Sequence, residues 1–197
     1  MESEHPEIFV LGGPNGAGKT SVAKRILPDS DVLAFINADF IARGISPHSP
    51  ESTAFEAGRL MLKRLRELRG ARETFGFETT LASRTFATFL REAQASGYLV
   101  HVIYACLSDP DLAVHRVRLR VLRGGHDIPE ETVRRRYARS LTNFFQLYRP
   151  LADGWSVWDN SGRTLLPLAR GTTSGETIVL DPVRWARVKE QGTTDAG

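Results

Sequence analysis

Eight residues, Gly13-Pro14-Asn15-Gly16-Ala17-Gly18-Lys19-Thr20, fit the spacing G-x-x-x-x-G-K-[ST]. Glycines at this spacing let successive backbone N–H groups turn toward the β- and γ-phosphates of a nucleoside triphosphate. The Lys19 ammonium adds a point charge there, and the Thr20 hydroxyl is a hard oxygen ligand for Mg²⁺. The apolar run Ile8-Phe9-Val10-Leu11 precedes the loop and a helix-forming stretch from Ser21 to Leu27 follows it, which is the strand–loop–helix context the motif requires. Residues 13 to 21 are therefore the expected nucleotide-binding segment, with a nucleoside triphosphate and Mg²⁺ as the expected ligands.

Phosphoryl transfer is largely positioning and charge neutralisation, with a carboxylate arranged to orient or deprotonate the attacking hydroxyl. Asp39 is the candidate base, because it follows the apolar Phe35-Ile36 by only a few residues. The alternative is that it caps a turn over Phe40 to Arg43, while Asn37 either orients it or satisfies backbone at the strand end. Glu78 closes the apolar segment Phe75-Gly76-Phe77. With Thr80 beside it, Glu78 can bond substrate hydroxyls or hold Mg²⁺ through water; the competing structural role is a pair with Arg84, itself a candidate acceptor-side residue.

A third group is basic. From Arg116 to Arg139 there are eight arginines against three acids. Helical spacing puts Arg116, Arg120 and Arg123 on one face, opposite Val114, Val117 and Val121. In the following stretch Val133, Tyr137, Leu141, Phe144 and Tyr148 form the apolar stripe, leaving Arg136 and Ser140 on its flank. Two basic helices around Gly124-Gly125 suit a lid over residues 115–140 that closes on a triphosphate and excludes water.

These residues need a frame that brings strand ends together. Apolar runs alternate with helical stripes, which predicts an α/β fold: a mostly parallel sheet with helices on both faces. Strands are expected near 7–12, 32–37, 74–78, 98–106 and 155–159. Helices are expected after the phosphate loop, from an N-cap at Ser49-Pro50-Glu51 to Gly70, from Ser83 to Gly97, over 110–122, and from Pro129 to Tyr148. The chain reads as one domain over 1–197 with its core at 7–165. Beyond that, Glu176 to Leu180 reads as a short strand, Pro182 to Lys189 as a short helix, and 190–197 as a frayed tail. In such sheets ligands sit beyond the carboxyl ends of the strands, where the loop, Asp39 and Glu78 all fall.

Composition narrows the classes. At 197 residues and 41% hydrophobic content the chain buries one sizeable core. Its longest apolar stretches, such as Tyr98 to Leu107, are too short to span a membrane, so a cytoplasmic protein is expected. The single cysteine, Cys106, excludes an internal disulfide and a cysteine-built metal site. A net charge of +3 is too small by itself to imply nucleic-acid binding.

The loop resembles that of ABC-transporter ATPases, and Leu122-Arg-Gly-Gly-His126 echoes their signature, but the apolar strand ending in Asp-Glu that should follow is missing. The fuller resemblance is to the zeta-toxin family of small P-loop kinases. It runs from about Ile8 to Gly162 through the loop at 13–20, Asn37-Ala-Asp39, Glu78-Thr-Thr80, Arg120-Val-Leu-Arg-Gly-Gly-His-Asp-Ile-Pro129 and Arg135-Arg-Tyr-Ala-Arg-Ser140. The resemblance implies a nucleotide-kinase-like fold and an ATP- and Mg²⁺-dependent kinase whose acceptor is a hydroxyl of a UDP-linked amino sugar, with a possible antitoxin partner. It makes Asp39 the general base, Lys19 and Thr20 the phosphate and Mg²⁺ ligands, Glu78 and Thr80 substrate contacts, and Arg120 with Arg135 or Arg136 the lid charges. By similarity to nucleotide kinases, Arg116 stacks on adenine and Asp159-Asn160-Ser161-Gly162 lines the base pocket. The full-length toxins are longer, with insertions that help hold the sugar nucleotide, for which this chain has little room. Two other readings remain open: a kinase for nucleic-acid 5′-hydroxyls using the basic lid as a backbone track, and a nucleotide switch acting on a protein partner.

Overall fold

The structure is a computed structural model that describes residues 5–27, 34–46, 53–125, 127–173, 175 and 177–194. Seven strands form one sheet in the order β2-β3-β1-β4-β5-β6-β7. These are β1 (Glu7–Gly12), β2 (Ala34–Asn37), β3 (Phe75–Thr79), β4 (Leu99–Cys106), β5 (Gly154–Asp159), β6 (Leu166–Thr172) and β7 (Ile178–Val179). The first five pair in parallel, and β6 and β7 add an antiparallel edge. Helices pack on both faces: α1 (Lys19–Ile26), α2 (Ala38–Ile45), α3 (Ala54–Gly70), α4 (Thr85–Ala95), α5 (Pro110–Leu122), α6 (Glu130–Asn143) and α7 (Pro182–Thr194). α6 continues into a π-helical turn over Phe144–Tyr148.

Central β1 is covered on both sides, so its Ile8, Val10 and Leu11 are all buried and the strand reads as a continuous apolar run rather than an alternating one. α4 buries Ala87, Phe89, Leu90 and Ala93 at helical spacing, Phe89 and Leu90 each contributing about 1.5–3 kcal/mol. It stops before Gly97, whose φ of +86° ends the helix at little steric cost. α5 begins where Asp109 Oδ1 accepts the Leu112 N–H at 2.8 Å with Pro110 in the first turn. It ends where the Gly124 N–H donates to Val121 O and the Gly125 N–H to Arg120 O, both at 2.9 Å, with Gly124 at φ +79°. That is a Schellman stop, so the glycine pair terminates α5 in a defined geometry.

Several expectations need correction. The predicted turn at 40–43 is part of the helix α2, because Asn37 Oδ1 accepts the Asp39 N–H at 2.8 Å and starts a helix there. The cap is thus Asn37, and Asp39 is free of that task. β6 was not anticipated: Pro167, Arg170 and Gly171 break its apolar pattern, and Pro167 sits opposite an irregularity in β5 at the Val157/Trp158 step. The core does not end at 165, since Leu168, Ala169, Trp185 and Val188 are buried in it. Residues 190–194, expected to fray, belong to α7. Ser140, placed on a helix flank, is fully buried and shares a 2.9 Å hydrogen bond with the Tyr104 hydroxyl. Arg123 is exposed and does not share the half-buried setting of Arg116 and Arg120. The expected cap at 49–51, positions 32 and 33, His126, Glu176 and residues 195–197 lie outside the described residues.

Candidate functional site

The order β2-β3-β1-β4-β5 places the loop after β1 at the centre of the sheet's carboxyl edge, flanked by the ends of β3 and β4. Its backbone demands glycine. Gly13, Gly16 and Gly18 have φ of +144°, +78° and +71°, and a Cβ on Gly13 would stand 2.2 Å from Ala105 O. Pro14, Asn15 and Ala17 complete the turn, with Asn15 and Ala17 buried, and Ser21 continues into α1. Positive-φ glycines at this spacing are the backbone conformation that a phosphate-cradling loop requires.

Lys19 is buried beneath this loop, its Nζ donating to Pro14 O at 3.2 Å and standing 3.7 Å from Glu78 Oε1. The Thr20 hydroxyl donates to Glu78 Oε2 at 2.7 Å. Burial lowers the Lys19 pKa; the carboxylates of Glu78 and Asp39 raise it back, while Arg120 lowers it further. The side chain of Glu78 is 12% exposed and is engaged by Lys19 and Thr20, so pairing with Arg84 is not what holds it. Thr20 and Glu78 together present hard oxygen donors suited to Mg²⁺, an ion that takes one or two protein oxygens and completes its shell with phosphate and water. Among the described residues no group of three or more His, Cys, Asp or Glu is gathered, and such a site does not need one.

Asp39 is exposed in the first turn of α2, and its charge acts on Lys19 from the loop side and on Arg136 from α6. Burial lowers the Arg136 pKa, Asp39 opposes that, and neighbouring Arg135 reinforces it. Arg120 lies close enough to act on Lys19 as well. Within the site, Glu78 of β3, Asp39 of α2 and Arg120 of α5 thus act on the charge of Lys19, and Asp39 also acts on Arg136 of α6.

Arg116 lies where the β5 turn meets the loop: it donates to Ser161 O at 2.8 Å and to Gly16 O at 3.5 Å. Asn160 donates through Nδ2 to Ala17 O at 2.8 Å. Both expected nucleotide residues thus touch the phosphate loop through its carbonyls. Thr80 is half-buried and its Oγ1 accepts the Ala82 N–H at 3.4 Å, tying its side chain to its own turn. Arg84 is not brought to the cluster; it is exposed and lines a cleft of about 380 Å³ between α3 and α4 with Leu62, Arg66 and Glu92.

The basic helices are partly self-neutralised on their outer side. Arg118 meets Glu130 at 2.5 Å, and Arg134 meets Glu130 at 2.7 Å and Asp111 at 2.6 Å, which ties α5 to α6. Residues without any motif complete the frame. Leu81, fully buried at φ +56°, wedges against Gly12; its carbonyl accepts from Asn143 Nδ2 at 2.7 Å, and Ser83 O accepts from the Tyr148 hydroxyl at 2.5 Å. A non-glycine residue held in this region stores strain that the surrounding contacts must support. Cys106 is buried at the end of β4 and burial pushes its thiol pKa well up, so it behaves as core.

Comparison with known proteins agrees with this architecture. The zeta-toxin family model matches residues 1–166. An uncharacterized protein of Haemophilus influenzae is 30% identical over 134 residues, which make up 68% of this chain and 94% of that one. A chain of the AvrRxo1-ORF1:-ORF2 complex solved with ATP superposes with a TM-score of 0.76 at 16% identity, covering 98% of this chain. This chain spans 66% of that longer one, just under two thirds. A chain of the PezAT chromosomal toxin-antitoxin system of Streptococcus pneumoniae superposes with a TM-score of 0.62 at 15% identity, over 97% of this chain and 86% of that one. At such identities the structural likenesses show the fold, and the sequence match shows the lineage. Matched over most of its length, and with a P-loop kinase-like fold around the loop at 13–20, the chain belongs to the zeta-toxin family.

Proposed function

We propose that this chain is an ATP-dependent kinase that passes the γ-phosphoryl group of ATP to a hydroxyl of a small molecule, with UDP-linked amino sugars the first acceptor class to test. The observation that carries the proposal is the position of Asp39, whose charge acts on both Lys19 and Arg136. A carboxylate whose charge reaches both the phosphate-loop lysine and an arginine of α6 supports the reading of Asp39 as the base that meets the acceptor hydroxyl.

In this reading the loop N–H groups and Lys19 hold the β- and γ-phosphates. Asp39 takes the proton of the acceptor hydroxyl as the new P–O bond forms and the bond to the β-phosphate oxygen breaks, leaving ADP. Arg120 and Arg136 offset the charge spread over the moving phosphoryl group. Thr20 and Glu78 would hold Mg²⁺, which supplies positive charge to the phosphates when bound. Glu78 also opposes the lowering of the Lys19 pKa by burial. Arg116 and Asn160 border the loop on the β5 side and are assigned to the nucleoside. Because Arg118 and Arg134 are engaged by Glu130 and Asp111, the outer face of the helix pair is a poor phosphate-backbone track, which favours a small acceptor over a polynucleotide. An antitoxin partner and a cytoplasmic site of action belong to the same proposal.

The test is incubation of the purified protein with Mg-ATP and a fractionated metabolite extract, followed by mass spectrometry. A phosphorylated, hydroxyl-bearing product formed with stoichiometric ADP is expected. ADP formed with no phosphorylated product from any fraction would contradict the kinase reading.

A further inference from the structure

The match to the family model ends at residue 166, yet α7 lies beyond it and packs into the core. Trp185 of α7 stacks on Trp155 of β5 with centroids 5.9 Å apart, and Gly192 lets the helix approach Phe145 so closely that a Cβ there would meet its ring at 2.4 Å. From this seat α7 reaches the two segments that border the phosphate loop on its β4–β5 side. Arg184 Nε lies 3.4 Å from Asp159 Oδ2. Gln191 Nε2 donates to Ser108 O at 2.7 Å, while its Oε1 lies 3.0 Å from the Tyr137 hydroxyl of α6.

Those two segments are themselves joined. Asp159 Oδ1 accepts the Ser161 N–H at 2.8 Å, and Ser161 Oγ accepts the Ser108 N–H at 2.8 Å. Ser161 O then receives Arg116, and Asn160 reaches Ala17 O. A continuous path of hydrogen bonds and one ion pair thus runs from α7 through the 159–161 turn to the phosphate loop. The side chain of Asp159 is only 13% exposed, so its hold on Ser161 is sheltered from solvent.

The geometry points to Arg184 and Gln191 as positioning residues for nucleotide binding: α7 fixes the 159–161 turn and the Ser108 turn against the phosphate loop, setting the wall on which the nucleoside end of ATP rests. This rests on the nucleotide-binding reading above. The loop's own grip on phosphate, made by residues 13–20, does not depend on α7. Loosening α7 at these two points therefore weakens binding of the nucleoside and spares binding of phosphate.

The experiment measures binding of ATP and of inorganic tripolyphosphate, both with Mg²⁺, by titration calorimetry on the full chain and on Arg184→Ala/Gln191→Ala. ATP affinity is expected to fall about fivefold, the scale of one lost hydrogen bond, with tripolyphosphate affinity unchanged. Adding Arg184→Lys in place of Arg184→Ala keeps a charge opposite Asp159 and is expected to recover part of the loss. The Trp155–Trp185 pair gives a near-ultraviolet signal that reports whether α7 remains seated; if it is lost in the double variant, the same comparison is read in Arg184→Ala alone, where the half-exposed side chain is not needed for packing. Equal loss for both ligands, or no change for ATP, would overturn the proposal. An unmutated chain that binds neither ligand would instead remove the nucleotide-binding reading itself.

Discussion

The Thr20 hydroxyl and the Glu78 carboxylate, 58 positions apart in sequence, meet at 2.7 Å, and the same carboxylate stands 3.7 Å from the Lys19 ammonium. One acidic side chain from β3 thereby engages both chemically active residues of the phosphate loop. Burial lowers the Lys19 pKa, and Glu78 raises it through its charge and a hydrogen bond. A triphosphate binds the ammonium and not the neutral amine, so ATP affinity declines as pH rises through the Lys19 pKa. Glu78→Gln removes the supporting charge and moves that decline to lower pH, which a series of ATP titrations against pH would measure. Profiles that coincide would mean that Glu78 does not support the Lys19 charge.

The arginines of α5 and α6 divide by what they touch. Arg136 is half-buried and feels Asp39, whereas Arg118 is spent on Glu130 at the outer surface. Arg136→Ala is expected to lower the rate of phosphoryl transfer by about a hundredfold, comparable to removal of one donor to a developing negative charge. Arg118→Ala is expected to leave the rate unchanged. Steady-state rates of ADP and product formation on the two variants make the comparison, and equal losses would show that total lid charge, not position, is what matters.

How much of this was legible beforehand differs by element. The phosphate loop, β1, β4, α4 and α5 announce themselves because glycine spacing, continuous apolar runs and caps such as Asp109-Pro110 are local signals. α2 was missed because its start is encoded by one side chain, Asn37, acting two residues on, and eight residues give little periodicity to read. β6 was missed because Pro167 and Arg170 break its pattern, and its strand character comes from pairing with β5. Asp39 and Glu78 stand out by following apolar segments, and Arg120 and Arg136 by the basic stretch and the family resemblance, but that Glu78 binds Lys19 and Thr20 is a tertiary fact no spacing contains. Arg84 illustrates the converse: six residues from Glu78 in sequence, it lines the α3–α4 cleft instead. Asn143, Tyr148, Arg184 and Gln191 carry no motif, and only the folded chain shows what they hold.

Asn143 offers a test of the frame apart from the chemistry. Its amide is the donor to Leu81 O in a buried setting, at the point where the chain takes a left-handed turn against Gly12. Asn143→Ala leaves that carbonyl without its donor and is expected to cost about 1–3 kcal/mol of folding stability. Urea denaturation measures it. A variant as stable as the parent would show that the turn is held by packing alone.

The central claim, that Asp39 is the base of a kinase, is tested most directly by comparing the unmutated chain with Asp39→Asn for phosphorylated-product formation and for ATP binding. The account predicts that product formation falls by about a hundredfold or more. ATP binding should be equal or tighter, because a negative charge beside the phosphates has been removed. Product formation at the unmutated rate in Asp39→Asn would contradict it.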